Sequence, residues 1–253
     1  VNQNRVVILA AAGLVALIGL GLVGYYGFRS TDVISAADTG NPRDLTSFEK
    51  ELLVAGPLGD LTMGDKNAPI TIVEYASLTC SHCADFEEHA IPQLEKNYIE
   101  TGKVYYILRD FPFDPIATAA FMLSHCAGPE RYFGFVKVLF SEQEKWAFTQ
   151  TPMEDLKSFA RQGGFSEEAF DACMKDQKIF EHVKFNALRG AKTFGVKSTP
   201  TFFINGEKIE GALPWADFET ILKKKLSGDM SSNMPAETKP DDATTPPAEE
   251  PQN

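Results

Sequence analysis

Cysteine is scarce in this chain, with four in 253 residues. That is too few for a disulfide scaffold, and a chain of this length can bury enough apolar surface to do without one. Positive charge is also short. The net charge is −11 and the only basic run is Lys223-Lys224-Lys225, which excludes nonspecific nucleic-acid binding, so no nucleic-acid partner is expected. The lysine triplet reads as the last turn of a helix, where cations complement the dipole. Strand signals are missing across residues 116–194, which predicts a long helical stretch. With 43% hydrophobic and 23% charged residues, the chain has room for one well-built core plus appendages, or two small domains.

The four cysteines divide into a close pair, Cys80 and Cys83, and a distant pair, Cys126 and Cys173. Cys80-Ser81-His82-Cys83 can close a small disulfide or bind a metal, and its surroundings favour redox chemistry. Ahead of it, residues 70–76 are β-branched and aromatic, the mark of a buried strand. Behind it, residues 84–96 read as a helix that Pro92 kinks or splits. Cys80 therefore falls at a strand-to-helix junction, where free backbone N–H groups and the helix dipole favour a thiolate. His82 beside the pair and His125 beside Cys126 invite a metal reading. Neither has a second Cys-X-X-Cys or four convergent ligands by spacing, so no metal site is expected.

In chain order, residues 6–28 are apolar and long enough as a helix to cross a hydrocarbon core of about 30 Å. They are read as an N-terminal membrane anchor, within an anchor or signal segment covering residues 1–28. Cleavage after the small residues Ser35-Ala36-Ala37 is the alternative. Residues 29–58 form a linker, with a short amphipathic helix over residues 47–54. An edge strand over residues 59–63 precedes the strand at 70–76, and residues 104–108 give the next strand before Pro112 and Pro115 end it. Helical patterns follow over residues 117–126, 131–140, 153–162, 166 onward and 177–193. Two short strands then flank Asn205-Gly206, the pair that a two-residue hairpin turn demands. A closing helix covers residues 215–226. Residues 227–253 are acidic and proline-rich and are expected to be a disordered tail.

Strand, Cys-X-X-Cys helix, strand, helices, Thr-Pro, hairpin and helix, in this order, resemble the thioredoxin fold with a helical insertion. More narrowly, the chain resembles the DsbA-like disulfide oxidoreductases of the bacterial cell envelope. The residues that carry the likeness are Glu74-Tyr75-Ala76-Ser77-Leu78-Thr79, Cys80-Ser81-His82-Cys83, and Ser198-Thr199-Pro200-Thr201-Phe202-Phe203-Ile204-Asn205-Gly206. The fold class implied is α/β, a thioredoxin-like domain over residues 59–226 with a helical insertion at about residues 115–195.

The resemblance also implies roles. Cys80 is the nucleophile and Cys83 the resolving thiol. His82 stabilises the Cys80 thiolate, or else is an exposed residue without a role. The family's oxidase branch commonly has proline where this chain has Ser81, which leaves redox strength open. Glu74 is the general acid/base candidate for Cys83, the alternative being a carboxylate facing solvent. Thr199-Pro200 is expected to be a cis peptide packed on the cysteines, with the Thr199 backbone binding an extended substrate; a trans strand-start proline is the alternative. Cys126 and Cys173 form a structural disulfide closing a loop of about 48 residues, or remain buried free thiols.

The expected function is a thiol-disulfide oxidoreductase donating disulfides to cysteine-containing envelope proteins, with no soluble cofactor and with a membrane reoxidant or reductant for its Cys80-Cys83 pair. The chain is expected to be a monomer held on the inner membrane with its catalytic domain in the periplasm, or soluble there if the N-terminal segment is cleaved. Two alternatives stand beside this. One is a reductase or isomerase on the same fold, although residues 29–59 are too short for the dimerisation domain that isomerases add. The other is a non-catalytic substrate-binding or chaperone module.

Overall fold

The computed structural model describes residues 44–228; the apolar segment 6–28, residues 29–43 and the tail 229–253 lie outside the described residues. Among the described residues no helix is long and apolar enough to cross a membrane. Strands β1 (Leu61–Met63), β2 (Ile70–Ala76), β3 (Val104–Asp110), β4 (Thr201–Ile204) and β5 (Glu207–Glu210) form one sheet in the order β1-β3-β2-β4-β5. β2 and β3 run parallel, and the other pairs are antiparallel. β2 is buried along its whole length, which explains why it reads as a continuous β-branched and apolar run.

Its two faces serve two cores. Ile70, Ile72 and Ala76 pack with Tyr106, Leu108, Phe202 and helices of the insertion. Val73 and Tyr75 pack on the opposite side with Leu52, Ile107, Phe111 and Phe203. Leu52 comes from α1 (Ser47–Leu52), whose Thr46 and Glu49 form a reciprocal capping box. The hairpin turn between β4 and β5 has Asn205 at φ 49° and Gly206 at φ 78°, the paired positive φ values of a type I′ turn.

The expected helix over residues 84–96 is corrected at its start and is split as Pro92 predicts. It begins at Ser81, because Cys80 is extended (φ −92°, ψ 118°) and takes the N-cap position of α2 (Ser81–His89). It breaks at Ala90, before α3 (Ile91–Leu94) and a π-helical turn, Glu95–Ile99, because Pro92 has no N–H to continue the ladder. β3 also runs two residues past its expected end, since Tyr75 and Ala76 of β2 remain beside Arg109 and Asp110.

The insertion comprises α4 (Pro115–Cys126), α5 (Tyr132–Ser141), a 3-10 turn at Gln143–Lys145, α6 (Pro152–Gln162), α7 (Glu167–Met174) and α8 (Gln177–Thr193). Asp114 caps α4 through Ala117 N–H at 2.7 Å, and Ser166 caps α7 through Ala169 N–H at 3.1 Å. Cys126 of α4 is disulfide-bonded to Cys173 of α7, with Cα atoms 6.1 Å apart. Gly190 lets α8 lie against the sheet: a Cβ there would meet the Tyr75 ring at 2.8 Å. α9 (Trp215–Leu226) closes the domain, with Phe218 fully buried against Phe86 and Phe202.

Candidate active site

The end of β2 feeds a tight turn, Ser77-Leu78-Thr79, closed by Cys80 N–H donating to Ser77 O at 3.0 Å. The Cys80 carbonyl then accepts from the N–H groups of Cys83 and Ala84, both at 3.1 Å, which starts α2. This leaves the sulfur of Cys80 at the amino end of a helix, beside the backbone N–H groups of His82 and Cys83. Cys80 is half-buried, whereas Cys83 is 1% exposed, and both are free thiols.

The two thiols are driven apart. A hydrogen bond from Cys83 is the largest influence lowering Cys80; with Thr199 and the backbone N–H groups of Cys83 and His82 it overcomes burial and brings Cys80 down to about 5. Burial, followed by the bond to Cys80 and the charge of Glu74, pushes Cys83 well above its usual range. One sulfur is thus a thiolate at neutral pH and the other holds its proton.

Thr199-Pro200 is a cis peptide. It precedes β4, whose Thr201 pairs with Tyr75 of β2, so the sheet register carries it to the cysteines. When Cys80 is protonated, the Thr199 carbonyl accepts from its Sγ–H at 3.3 Å. The Thr199 hydroxyl is buried and has no partner here, leaving it available to a Cys80 thiolate.

Glu74 lies on the face of β2 opposite Val73 and Tyr75, as strand alternation requires. That face is covered by the insertion and α2, so the carboxyl is 3% exposed. Tyr106 O–H donates to it at 2.6 Å. Burial raises Glu74 to about 8 against the opposing effect of that bond. His82 is exposed, and what it gives Cys80 in this geometry is its backbone N–H.

Apart from His125, which the sequence marks beside Cys126, several polar residues at or near the site gave no signal in the sequence. Gln143 of the insertion is 4% exposed, and its side-chain amide donates to the carbonyls of Leu78 at 2.8 Å and Cys80 at 3.2 Å. Thr79 O–H donates to Asp114 at 2.6 Å. Half-buried Glu87, one helical turn after Cys83, is raised to about 7 by burial and by the charge of Glu95. Asp110, His125 and His182 come together from β3, α4 and α8, with potential ligand atoms within 4.8 Å of one another.

That last cluster is already occupied by hydrogen bonds. Asp110 accepts from Tyr132 O–H and Asn186 amide N–H and pairs with His125 Nε2, while Leu58 N–H donates to His182 Nδ1. His182 Nε2 in turn lies 3.2 Å from the Asn186 side-chain nitrogen and 3.9 Å from Asp110 Oδ2, so both ring nitrogens already face protein partners. The cluster therefore reads as a strut between β3 and the insertion. Burial opposes the Asp110 charge, but His125, His182 and Asn186 hold its carboxyl below the usual range.

The family described as Thioredoxin matches residues 58–224 of this chain. The chain belongs to the thioredoxin family. Within that family it is DsbA-like: the crystal structure of Wolbachia pipientis alpha-DsbA1 superposes with a TM-score of 0.65 at 32% identity, covering 72% of this chain and 97% of that one. Bacillus subtilis BdbD superposes with a TM-score of 0.60 at 20% identity, covering 69% of this chain and 97% of that one, a likeness of fold alone. A Rickettsia typhi protein described as a candidate protein-disulfide oxidoreductase is 34% identical over 152 residues, 60% of this chain and 56% of the relative. This chain thus spans about half the length of the Rickettsia relatives it matches.

Proposed function

We propose that this protein is a thiol-disulfide oxidoreductase that donates disulfides to cysteine-containing proteins of the bacterial envelope. The observation that carries the reading is the asymmetry of the pair: Cys80 at a helix N-cap is lowered to about 5, while buried Cys83 is raised. A stabilised Cys80 thiolate favours the reduced enzyme, and a pair that favours its reduced form is an oxidant.

The chemistry balances without a soluble cofactor. A substrate thiolate attacks the Cys80 sulfur of the enzyme disulfide, forming a mixed disulfide and releasing Cys83 as a thiolate. The substrate's second thiolate then attacks its own sulfur in the mixed disulfide and releases the Cys80 thiolate. The substrate is oxidised by two electrons and the enzyme reduced by two. Glu74 gives its proton to Cys83 as that sulfur leaves and takes it back on reoxidation, a role supported by its burial and by a pKa about 8. The imidazole of His82, when protonated, adds to the field that the backbone N–H groups place on Cys80.

Substrate docks in extended form along Thr199-Pro200. Neither the thiolate nor the disulfide form of Cys80 has an S–H to occupy the Thr199 carbonyl, so that oxygen is open to a substrate N–H. Residues 6–28 tether the domain to the inner membrane on its periplasmic side, where a membrane reoxidant accepts two electrons from the pair, and the enzyme acts as a monomer. The test is exchange with a reduced, unfolded substrate. Wild-type protein should oxidise it stoichiometrically, and a preparation that only reduces substrate disulfides overturns the proposed direction.

A further inference from the structure

The turn that carries Cys80 is held from outside the strand and helix it joins. Leu78 is fully buried, and its carbonyl receives a hydrogen bond from the Gln143 amide at 2.8 Å rather than from the backbone of its own turn. The same amide nitrogen lies 3.2 Å from the Cys80 carbonyl. An amide NH₂ has two protons, and two carbonyls two residues apart are the acceptors it can bridge. Gln143 is itself fixed: its carbonyl accepts from Ala147 N–H at 2.8 Å, and the following Trp146 is fully buried, with its indole N–H donating to Leu139 O at 2.8 Å.

The Cys80 carbonyl is thus the meeting point of three donors, two from α2 and one from the insertion. The direction of the Cys80 Cα–Cβ bond depends on the backbone angles of the same residue. Holding the carbonyls on both sides of Thr79 therefore aims the sulfur at the N–H groups opening α2 and at Thr199.

We propose that Gln143 is a positioning residue for thiol-disulfide exchange, through which the helical insertion fixes the Cys80 turn and so sets how strongly the nucleophilic thiolate is held. The inference rests on the oxidoreductase reading but concerns the sulfur's environment, which can be measured without turnover. Gln143 touches no reacting atom and acts only through the two carbonyls. Asp114 supplies a second tie from the insertion, through Thr79 O–H, so the turn should loosen without unfolding when Gln143 is lost.

The experiment is a pH titration of thiolate absorbance near 240 nm in the full chain, comparing wild type with Gln143→Met, which keeps the shape and removes both donors. Loss of the clamp should raise the Cys80 midpoint by about one pH unit and shift equilibrium with glutathione about tenfold toward the enzyme disulfide. An unchanged midpoint and equilibrium, with only a lower Tm, would show a purely structural side chain and overturn the proposal. Should Gln143→Met not fold, the wild-type side-chain amide resonances of Gln143 decide it. They should shift with an inflection at the Cys80 midpoint, and the absence of that inflection is contrary. Failure of the oxidoreductase reading would instead appear as absent substrate oxidation by wild type, whatever the titration gives.

Discussion

Cys80 Sγ lies 3.3 Å from the carbonyl oxygen of Thr199, across a separation of 119 residues. This contact is where the two halves of the sheet meet the redox chemistry, because β2 delivers the cysteine and β4 delivers the cis peptide. The protonated thiol donates to that oxygen, whereas the thiolate present at neutral pH and the disulfide have no proton to donate. Protonation of the sulfur therefore closes that carbonyl, and ionisation or oxidation opens it.

Cys80→Ser should abolish substrate oxidation, and Cys83→Ser, which cannot close the enzyme disulfide, should also fail to oxidise substrate but should trap a mixed disulfide through Cys80 when offered a disulfide-bonded substrate, because Cys83 is no longer there to resolve it. Mass spectrometry of the quenched reaction distinguishes the two. A Cys80→Ser protein with full activity would favour the chaperone alternative.

The depressed Cys80 pKa makes a signed statement about stability. Its ordinary value is 9.0 and its folded value about 5. Its contribution to the reduced fold is therefore present above pH 9 and is lost as pH falls through 5. The urea midpoint of the reduced form, measured relative to the oxidised form, should rise from pH 5 to pH 9 and flatten below 5. His82→Ala should move the thiolate midpoint upward by less than about one unit, since the backbone N–H of residue 82 remains in place.

Glu74 carries the opposite sign. Its pKa is raised from 4.5 to about 8, so its stabilising contribution is full below pH 4.5 and disappears as pH rises through 8. Glu74→Gln should raise stability above pH 8 by on the order of a few kcal/mol and change it little at pH 4. The same variant should slow release of Cys83 from the mixed disulfide, seen as a smaller single-turnover rate constant.

The Cys126–Cys173 bridge spans 47 residues of sequence. Replacing both cysteines with alanine should cost about 4 kcal/mol by chain entropy, seen as a lower Tm. The Cys80 thiolate midpoint should stay in place, because the bridge joins α4 to α7 within the insertion.

What was legible in the sequence was local. The β-branched run before Cys80, the Asn205-Gly206 turn and the Ser166 cap each declare themselves within a few residues, and their order was enough to suggest the fold. Gln143, Asp110 and Asn186 look like ordinary polar residues of loops, strand ends and amphipathic helices. Their burial comes from partners up to 76 residues away, which no short window contains. Glu74 lies between these cases. Alternation gave its face correctly, but only the insertion shows that this face is covered. Arg109 was hidden in a similar way: it follows a strong strand signal, yet it is 1% exposed and holds Asp60 Oδ2 at 2.8 Å and the Leu52 carbonyl at 2.7 Å. It thereby ties the α1 segment to the sheet.

The most direct measurement is the reduction potential of the Cys80-Cys83 pair, obtained by equilibrating the protein against glutathione buffers of known ratio. A disulfide donor with a thiolate held this strongly should give a value near roughly −120 mV, the range of a strong oxidant. A value near roughly −270 mV, the range of thioredoxin, would contradict the proposed direction of electron flow and make the protein a reductant.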